Sequence, residues 1–76
     1  MSKKESLATF EIEGYHAVLL HVQNVYGVEK ELDYWFWGFK YTSQVFEYFS
    51  YRTLEEAQKV HDEFIEAINL YWKEKN

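Results

Sequence analysis

The sequence predicts an α+β domain in which a small antiparallel meander of four strands, or of three, packs on one C-terminal helix. Two observations indicate this class. β-branched and aromatic residues fill short runs over residues 7–51, and residues 53–74 repeat apolar side chains at helical spacing. Because the sheet face and the helix stripe must each be buried, a helix laid across the meander satisfies both.

The 76 residues are expected to form a single domain, with residues 1–6 flexible, the sheet over 7–51 and the helix over 53–74. The chain contains 47% hydrophobic and 21% aromatic residues and no cysteine. This composition excludes a disordered chain, a disulfide framework and a cysteine-ligated zinc site. A core of this size supplies only roughly 3–5 kcal/mol, so we expect a homo-oligomer, with a dimer favoured.

Short apolar runs and the breaks between them set the strand order. Residues 7–13 alternate apolar and polar side chains, as in a strand with one solvated face, and Gly14 permits a tight reversal. The run that follows is more continuously apolar and ends at a turn signal, Asn24 to Gly27. Thr42 and Ser43 break the next run into a hairpin. The predicted strands are 7–13, 16–25, 32–41 and 44–51.

The predicted helix begins at Thr53, an N-cap residue followed three positions later by Glu56. One face is apolar: Leu54, Ala57, Val60, His61, Phe64, Ile65, Ile68, Tyr71 and Trp72. The opposite face carries an acidic surface that includes Glu55, Asp62, Glu63 and Glu66. The acidic face is typical of a solvated surface, and the alternative is a stripe that imitates nucleic-acid phosphates.

The third and fourth strands are aromatic on both faces, although one helix covers only one of them. On the third strand Trp35, Trp37, Phe39 and Tyr41 point one way, and Tyr34 and Phe36 point the other. On the fourth, Phe46 and Tyr48 lie opposite Val45, Phe49 and Tyr51, which share their face with Glu47. The sequence does not decide which face the helix covers. The second face is expected to meet a partner, unless N-terminal residues, lysine stems or sheet coiling cover it.

These aromatics lead to the functional hypothesis. The predicted partner-binding residues are Tyr34, Trp35, Phe36, Trp37, Phe39, Tyr41, Phe46 and Tyr48. The leading hypothesis is a non-enzymatic protein-interaction module, an inhibitor or adaptor, that also self-associates. The alternative is a binding protein for a planar, nucleotide-like small molecule, in which Lys40 or Arg52 contacts an anionic group.

No residue pattern indicates catalysis, a metal or a cofactor. His16 and His21 would lie on opposite faces of a regular strand, and His61, on the apolar helix face, is expected to be a hydrogen-bonded core or boundary residue. The acidic cluster Glu29, Glu31 and Asp33 is typical of a solvated turn. Phosphate-binding glycine loops and nucleophile motifs are absent, so we predict that the protein is not an enzyme.

The charge of the chain bears on partners and location. Thirteen acidic against eight basic residues give a net charge of -5, which argues against direct nucleic-acid binding. The sequence contains no signal peptide and no apolar run long enough to span a membrane, so a cytoplasmic protein is expected.

In size and layout, an acidic cysteine-free meander with one helix, the whole chain resembles small proteins that bacteriophages and mobile elements carry. Some of those proteins bind and block host defence or replication enzymes. The resemblance implies an inhibitory protein partner and transfers no site residue.

Overall fold

The computed structural model describes residues 8–75 and confirms the α+β class, with a small antiparallel sheet packed on one C-terminal helix. Residues 1–6, predicted to be flexible, lie outside the described residues. The elements are β1 (Thr9–Ile12), β2 (Tyr15–Val18), a 3-10 turn (Leu19–His21), β3 (Val22–Glu31), β4 (Tyr34–Tyr41), β5 (Phe46–Tyr51) and α1 (Leu54–Lys75).

The strands form two antiparallel sheets, a β1-β2 hairpin and a three-stranded β3-β4-β5 meander. The first hairpin turns at Glu13 and Gly14, whose φ angles are 50° and 87°. Two successive positive φ angles are what a type I′ turn requires, and its twist matches that of the paired strands. The predicted reversal at Gly14 is therefore confirmed.

The predicted second strand, 16–25, is divided in the structure. The strand stops at Val18, the 3-10 turn redirects the chain, and β3 begins at Val22. The predicted turn at Asn24 to Gly27 is wrong, because β3 continues through these residues and only shifts register between Tyr26 and Glu29.

The reversal between β3 and β4 falls instead at Leu32, which adopts a φ of 57° and is 88% exposed. A left-handed leucine is rare because its Cβ crowds the backbone. Leucine is not a turn-forming residue, so its presence at position 32 does not predict this turn. The third predicted strand accordingly starts at Tyr34 rather than at residue 32.

The predicted break at Thr42 and Ser43 is confirmed as the β4-β5 turn. The backbone N–H of Gln44 donates to the Tyr41 carbonyl at 2.9 Å, and Gln44 itself has a φ of 75°. This left-handed residue cannot extend a strand, so β5 starts at Phe46 rather than at Gln44.

Helix α1 begins where the capping signal predicts. The backbone N–H of Glu56 donates to Thr53 Oγ1 at 3.1 Å, and the Thr53 hydroxyl donates to Glu56 Oε1 at 3.4 Å. The Thr53 side chain therefore satisfies one of the N–H groups that lack a partner within the helix.

The core lies between α1, the β1-β2 hairpin and one face of the meander. Its buried side chains are Ile12, Ala17, Leu19, Trp37, Phe39, Tyr51, Ala57 and Phe64. The Phe64 ring lies 5.0 Å from that of Phe39 and 5.3 Å from that of Trp37. Among residues 8–75, Trp37 Nε1 and the Tyr51 hydroxyl are buried without a hydrogen-bond partner. Burial is the main cause that raises the pKa of Tyr51.

Candidate functional site: the open face of the sheet

Strand pairing assigns every side chain of the meander to one of two faces. Residues directly opposite one another in an antiparallel pair point the same way. Tyr26 is opposite Gly38, and Gly38 is opposite Tyr48. The same rule places Phe36 between Glu29 and Ser50, and Tyr34 beside Glu31. We call this side, which faces away from α1, the open face. Its aromatic residues are Tyr26, Tyr34, Phe36, Phe46 and Tyr48.

The structure corrects half of the predicted partner-binding set. Trp37 and Phe39 are 1% and 0% exposed, and Trp35 and Tyr41 are partly buried against the same core. These four side chains form the face that α1 and the first hairpin cover. Trp37 and Phe39 cannot contact a partner without opening that core, so for them the prediction is wrong.

The other predicted aromatics, Tyr34, Phe36, Phe46 and Tyr48, lie on the open face. Phe46 is 49% exposed and Tyr48 is 57% exposed. Sequence reasoning missed Tyr26, because it placed a turn from Asn24 to Gly27. Continuing the strand alternation through Gly27 would have found this ring.

Three of the open-face rings form a stack. The rings of Phe46 and Tyr48 are 6.2 Å apart and 5° from parallel, and Tyr26 lies 6.1 Å from Phe46 and 6.5 Å from Tyr48. Gly38 makes room for this arrangement. A Cβ at Gly38 would lie 2.5 Å from Tyr48 Cδ1 and would also collide with the Glu47 carbonyl oxygen. The Tyr48 ring therefore lies across the glycine of the central strand.

The two cations predicted to contact a ligand anion lie over rings at opposite ends of β4. Lys40 Nζ is 5.8 Å from the Phe46 ring centroid, and Arg52 Cζ is 5.8 Å from that of Tyr34. Lys40 also donates to Gln44 Oε1 at 3.4 Å. Because they lie at opposite ends of β4, the structure does not bring Lys40 and Arg52 together, and each makes its own cation–π contact.

A groove of about 690 Å³ opens on the sheet at the register shift of β3. Its walls include the side chains of Tyr26, Phe36 and Tyr48, with Glu29 and Glu31 beside them. Lys30 also borders the groove, but its Nζ lies 5.7 Å from the ring of Trp35 on the covered face. The groove thus combines aromatic walls with two exposed carboxylates.

A second cavity of about 410 Å³ lies between the first hairpin and the β4-β5 turn. Both His16 and His21 line it, contrary to their predicted placement on opposite faces, because the 3-10 turn interrupts the strand. The Tyr15 and Tyr41 hydroxyls lie 2.7 Å apart at this cavity, and Val18 N–H donates to Tyr41 at 3.2 Å. Burial, followed by this hydroxyl pair, raises the pKa of Tyr15.

The remaining predicted polar residues lie on the helix. His61 packs edge-on against Trp37 at 5.5 Å and places Nδ1 3.0 Å from Asp62 Oδ1, which confirms a boundary position. The hydrogen bond to His61 lowers the pKa of Asp62. The acidic residues Glu55, Asp62, Glu63 and Glu66 are all exposed. Within residues 8–75, no three histidine or carboxylate side chains come together as a metal site would require.

Two further findings bear on function. Over the described part of the chain, no helix has both the length and the apolar character needed to cross a membrane. Comparison of the chain with protein-family models, curated proteins and solved structures finds no match. Geometry alone therefore guides the assignment of function.

Proposed function

We propose that this chain is a non-enzymatic protein-interaction module, an inhibitor or adaptor, whose binding surface is the open face of the sheet. The observation that carries the proposal is the stack of the exposed Phe46 and Tyr48 rings with the half-buried ring of Tyr26, beside which Phe36 and Tyr34 form a further pair. Aromatic side chains supply much of the energy of protein interfaces and lose little rotamer freedom when a partner covers them.

The open face suits association better than the sheet edges do. β3 and β5 are the edge strands of the meander. β3 has an irregular register, and β5 places Glu47 opposite Phe39, on the covered face. Irregular pairing and inward-pointing charges are features that oppose addition of another strand. A partner that approaches the flat aromatic face meets neither obstacle.

The small-molecule alternative has weaker support. It needs a cation directed into the aromatic groove to hold an anionic group, but the two predicted cations, Lys40 and Arg52, lie over rings at the two ends of β4. Two of the three charged side chains that border the groove, Glu29 and Glu31, repel anions, and the third, Lys30, places its Nζ over a ring of the covered face. The geometry therefore favours a protein partner over a nucleotide.

The first experiment measures solution mass by light scattering across a dilution series. We expect wild-type chain to form a dimer, and Phe46→Ser to shift the equilibrium toward monomer while the monomer keeps the folded circular-dichroism spectrum at 25 °C. Leu70→Ser is the matched control, because Leu70 is an equally exposed apolar side chain on the helix, at 55%. It should leave the dimer intact.

A monomeric wild-type protein calls for a second measurement, selection of binders from a displayed peptide library. Binders that Phe46→Ser loses and Leu70→Ser retains would support the open face as a surface for other proteins. The proposal is contradicted if the wild-type chain is a monomer and every recovered peptide also binds the Phe46→Ser variant.

A further inference from the structure

We propose that the groove beside β3 receives an arginine side chain of the protein partner. This inference rests on the proposed function and specifies the chemistry of the group that docks. The guanidinium would stack on the rings of Tyr26, Phe36 and Tyr48 and pair with the carboxylates of Glu29 and Glu31, which border the same groove.

The open face already holds cations on two of its rings. Lys40 lies over Phe46 and Arg52 lies over Tyr34, each at 5.8 Å. Both contacts show the distance at which the ring quadrupole attracts a positive charge. The chain thus uses cation–π contacts at both ends of β4.

The middle of the open face differs from its two ends. Within residues 8–75, no lysine or arginine lies over the rings of Tyr26, Phe36 or Tyr48. The groove lies between these rings, and the strand beside it presents Glu29 opposite Phe36 and Glu31 opposite Tyr34. The positive charge of Lys30, which also borders the groove, lies over a ring of the covered face, so a cation from another molecule would meet aromatic faces and two carboxylates.

Arginine fits this groove better than lysine does. Its planar guanidinium stacks on aromatic faces, is weakly hydrated and donates two parallel hydrogen bonds to a carboxylate. Glu29 and Glu31 are exposed, so they remain hydrated until the partner arrives. The net charge of -5 adds a general attraction for basic partners.

The test is a titration of the full chain with N-acetyl-arginine amide, at a protein concentration at which light scattering finds it monomeric, because a dimer formed through the open face would cover the groove. The titration follows the NMR signals of the Tyr26, Phe36 and Tyr48 rings. N-acetyl-citrulline amide is the matched probe, because it has the same shape and no charge. We expect saturable shifts of these rings with arginine and at least about fivefold weaker binding with citrulline, which lacks the charge that strengthens both contacts.

A pair of charge variants separates the groove from general electrostatics. Glu29→Gln with Glu31→Gln should weaken arginine binding about tenfold, the loss expected for two exposed charge pairs. Glu55→Gln with Glu66→Gln changes the net charge equally on the acidic helix face, and it should leave the affinity within about twofold. Equal losses in both double variants would overturn the proposal.

Two more outcomes are decisive. The inference fails if the arginine and citrulline amides bind equally, or if neither amide shifts the ring signals. The proposed function is tested separately, by the effect of Phe46→Ser on the solution mass and on the selected peptides. If Lys3→Gln with Lys4→Gln raises the affinity for arginine amide at least about tenfold, the lysines of the chain's own N-terminal segment compete for the groove, and an external arginine is not its occupant.

Discussion

The two faces of the meander have similar aromatic content, but one is buried and the other is exposed to solvent. The covered face presents Trp37 and Phe39 to α1, whereas the open face presents Phe46 and Tyr48 to solvent. The same strands carry both sets, so strand propensity does not distinguish them. Coverage by the helix and the first hairpin does distinguish them, and it divides one class of side chain into buried core and exposed surface.

The comparison also shows how charge is distributed between the faces. The covered face of the meander includes the charged side chains of Lys30 and Glu47, which both belong to edge strands. The open face combines its rings with Glu29, Glu31 and Lys40. The open face therefore keeps charged groups among its rings, and the carboxylates of Glu29 and Glu31 are exposed.

The largest expected difference comes from removing one phenylalanine ring from each face. Phe39→Ala should cost about 3–5 kcal/mol, because it leaves a cavity beneath Phe64 in a core that the surrounding rings cannot refill. Phe46→Ala should cost less than about 1 kcal/mol, since half of that ring is already in water. Urea unfolding followed by circular dichroism, at a protein concentration at which the chain is monomeric, measures the Phe46→Ala change, and the folded signal remaining without urea reports the Phe39→Ala loss.

For a chain this short, the Phe39→Ala loss approaches the whole stability of the domain, so we expect that variant to be largely unfolded at 25 °C. Equal losses for Phe39→Ala and Phe46→Ala would mean that the open face is as tightly packed as the core. That result would remove the distinction between the faces and, with it, the argument for a binding surface.

A second prediction sharpens the view of how the open face is built. Gly38→Ala should cost about 1–3 kcal/mol, because the new methyl group collides with the Tyr48 ring and the Glu47 carbonyl oxygen. Gly27→Ala is the matched control. A Cβ at Gly27 meets nothing within 4 Å, so we expect a change within about 0.5 kcal/mol in urea unfolding.

A double-mutant cycle tests whether the Tyr48 ring causes this cost. Gly38→Ala combined with Tyr48→Ala should destabilise the domain less than the sum of the single changes, because the second substitution removes part of the collision. Strict additivity would show that the ring does not lie across Gly38 in solution.

Local signals in the sequence predicted much of this fold. The alternation of residues 7–13, the capping pair Thr53 and Glu56, and the aromatic strands around Thr42 and Ser43 each depend on neighbouring residues alone. Such features form wherever their local chemistry is satisfied. The α+β class follows from combining them.

The missed features depend on contacts between distant residues. The Asn24 to Gly27 segment has turn composition, yet pairing with β4 keeps it in a strand, and the chain reverses at Leu32 instead. The choice of covered face depends on where Phe64 docks. Because both faces are aromatic, the sequence pattern could not decide between them, and half of the predicted site was placed in the core.

The smallest predicted effect uses the tyrosines of the covered side. Burial raises the pKa of both Tyr15 and Tyr51, so the folded state keeps their protons at pH values where the unfolded chain, near the ordinary value of 10.0, loses them. Their contribution is therefore complete below pH 10 and declines as the pH rises toward the folded pKa. The free energy of unfolding should fall by at most about 1.4 kcal/mol per pH unit for each tyrosine.

Urea unfolding of wild type and Tyr15→Phe between pH 8 and about pH 11 checks this prediction. Near pH 8 the variant should be less stable by about 1 kcal/mol, because it loses the hydroxyl pair with Tyr41. Above pH 10 its stability should fall less steeply than that of wild type, and less steeply still after Tyr51→Phe is added. Parallel pH curves for all three proteins would show that the Tyr15 and Tyr51 hydroxyls are no more sheltered in the folded protein than in the unfolded chain, and the covered side would lose the burial that separates it from the open face.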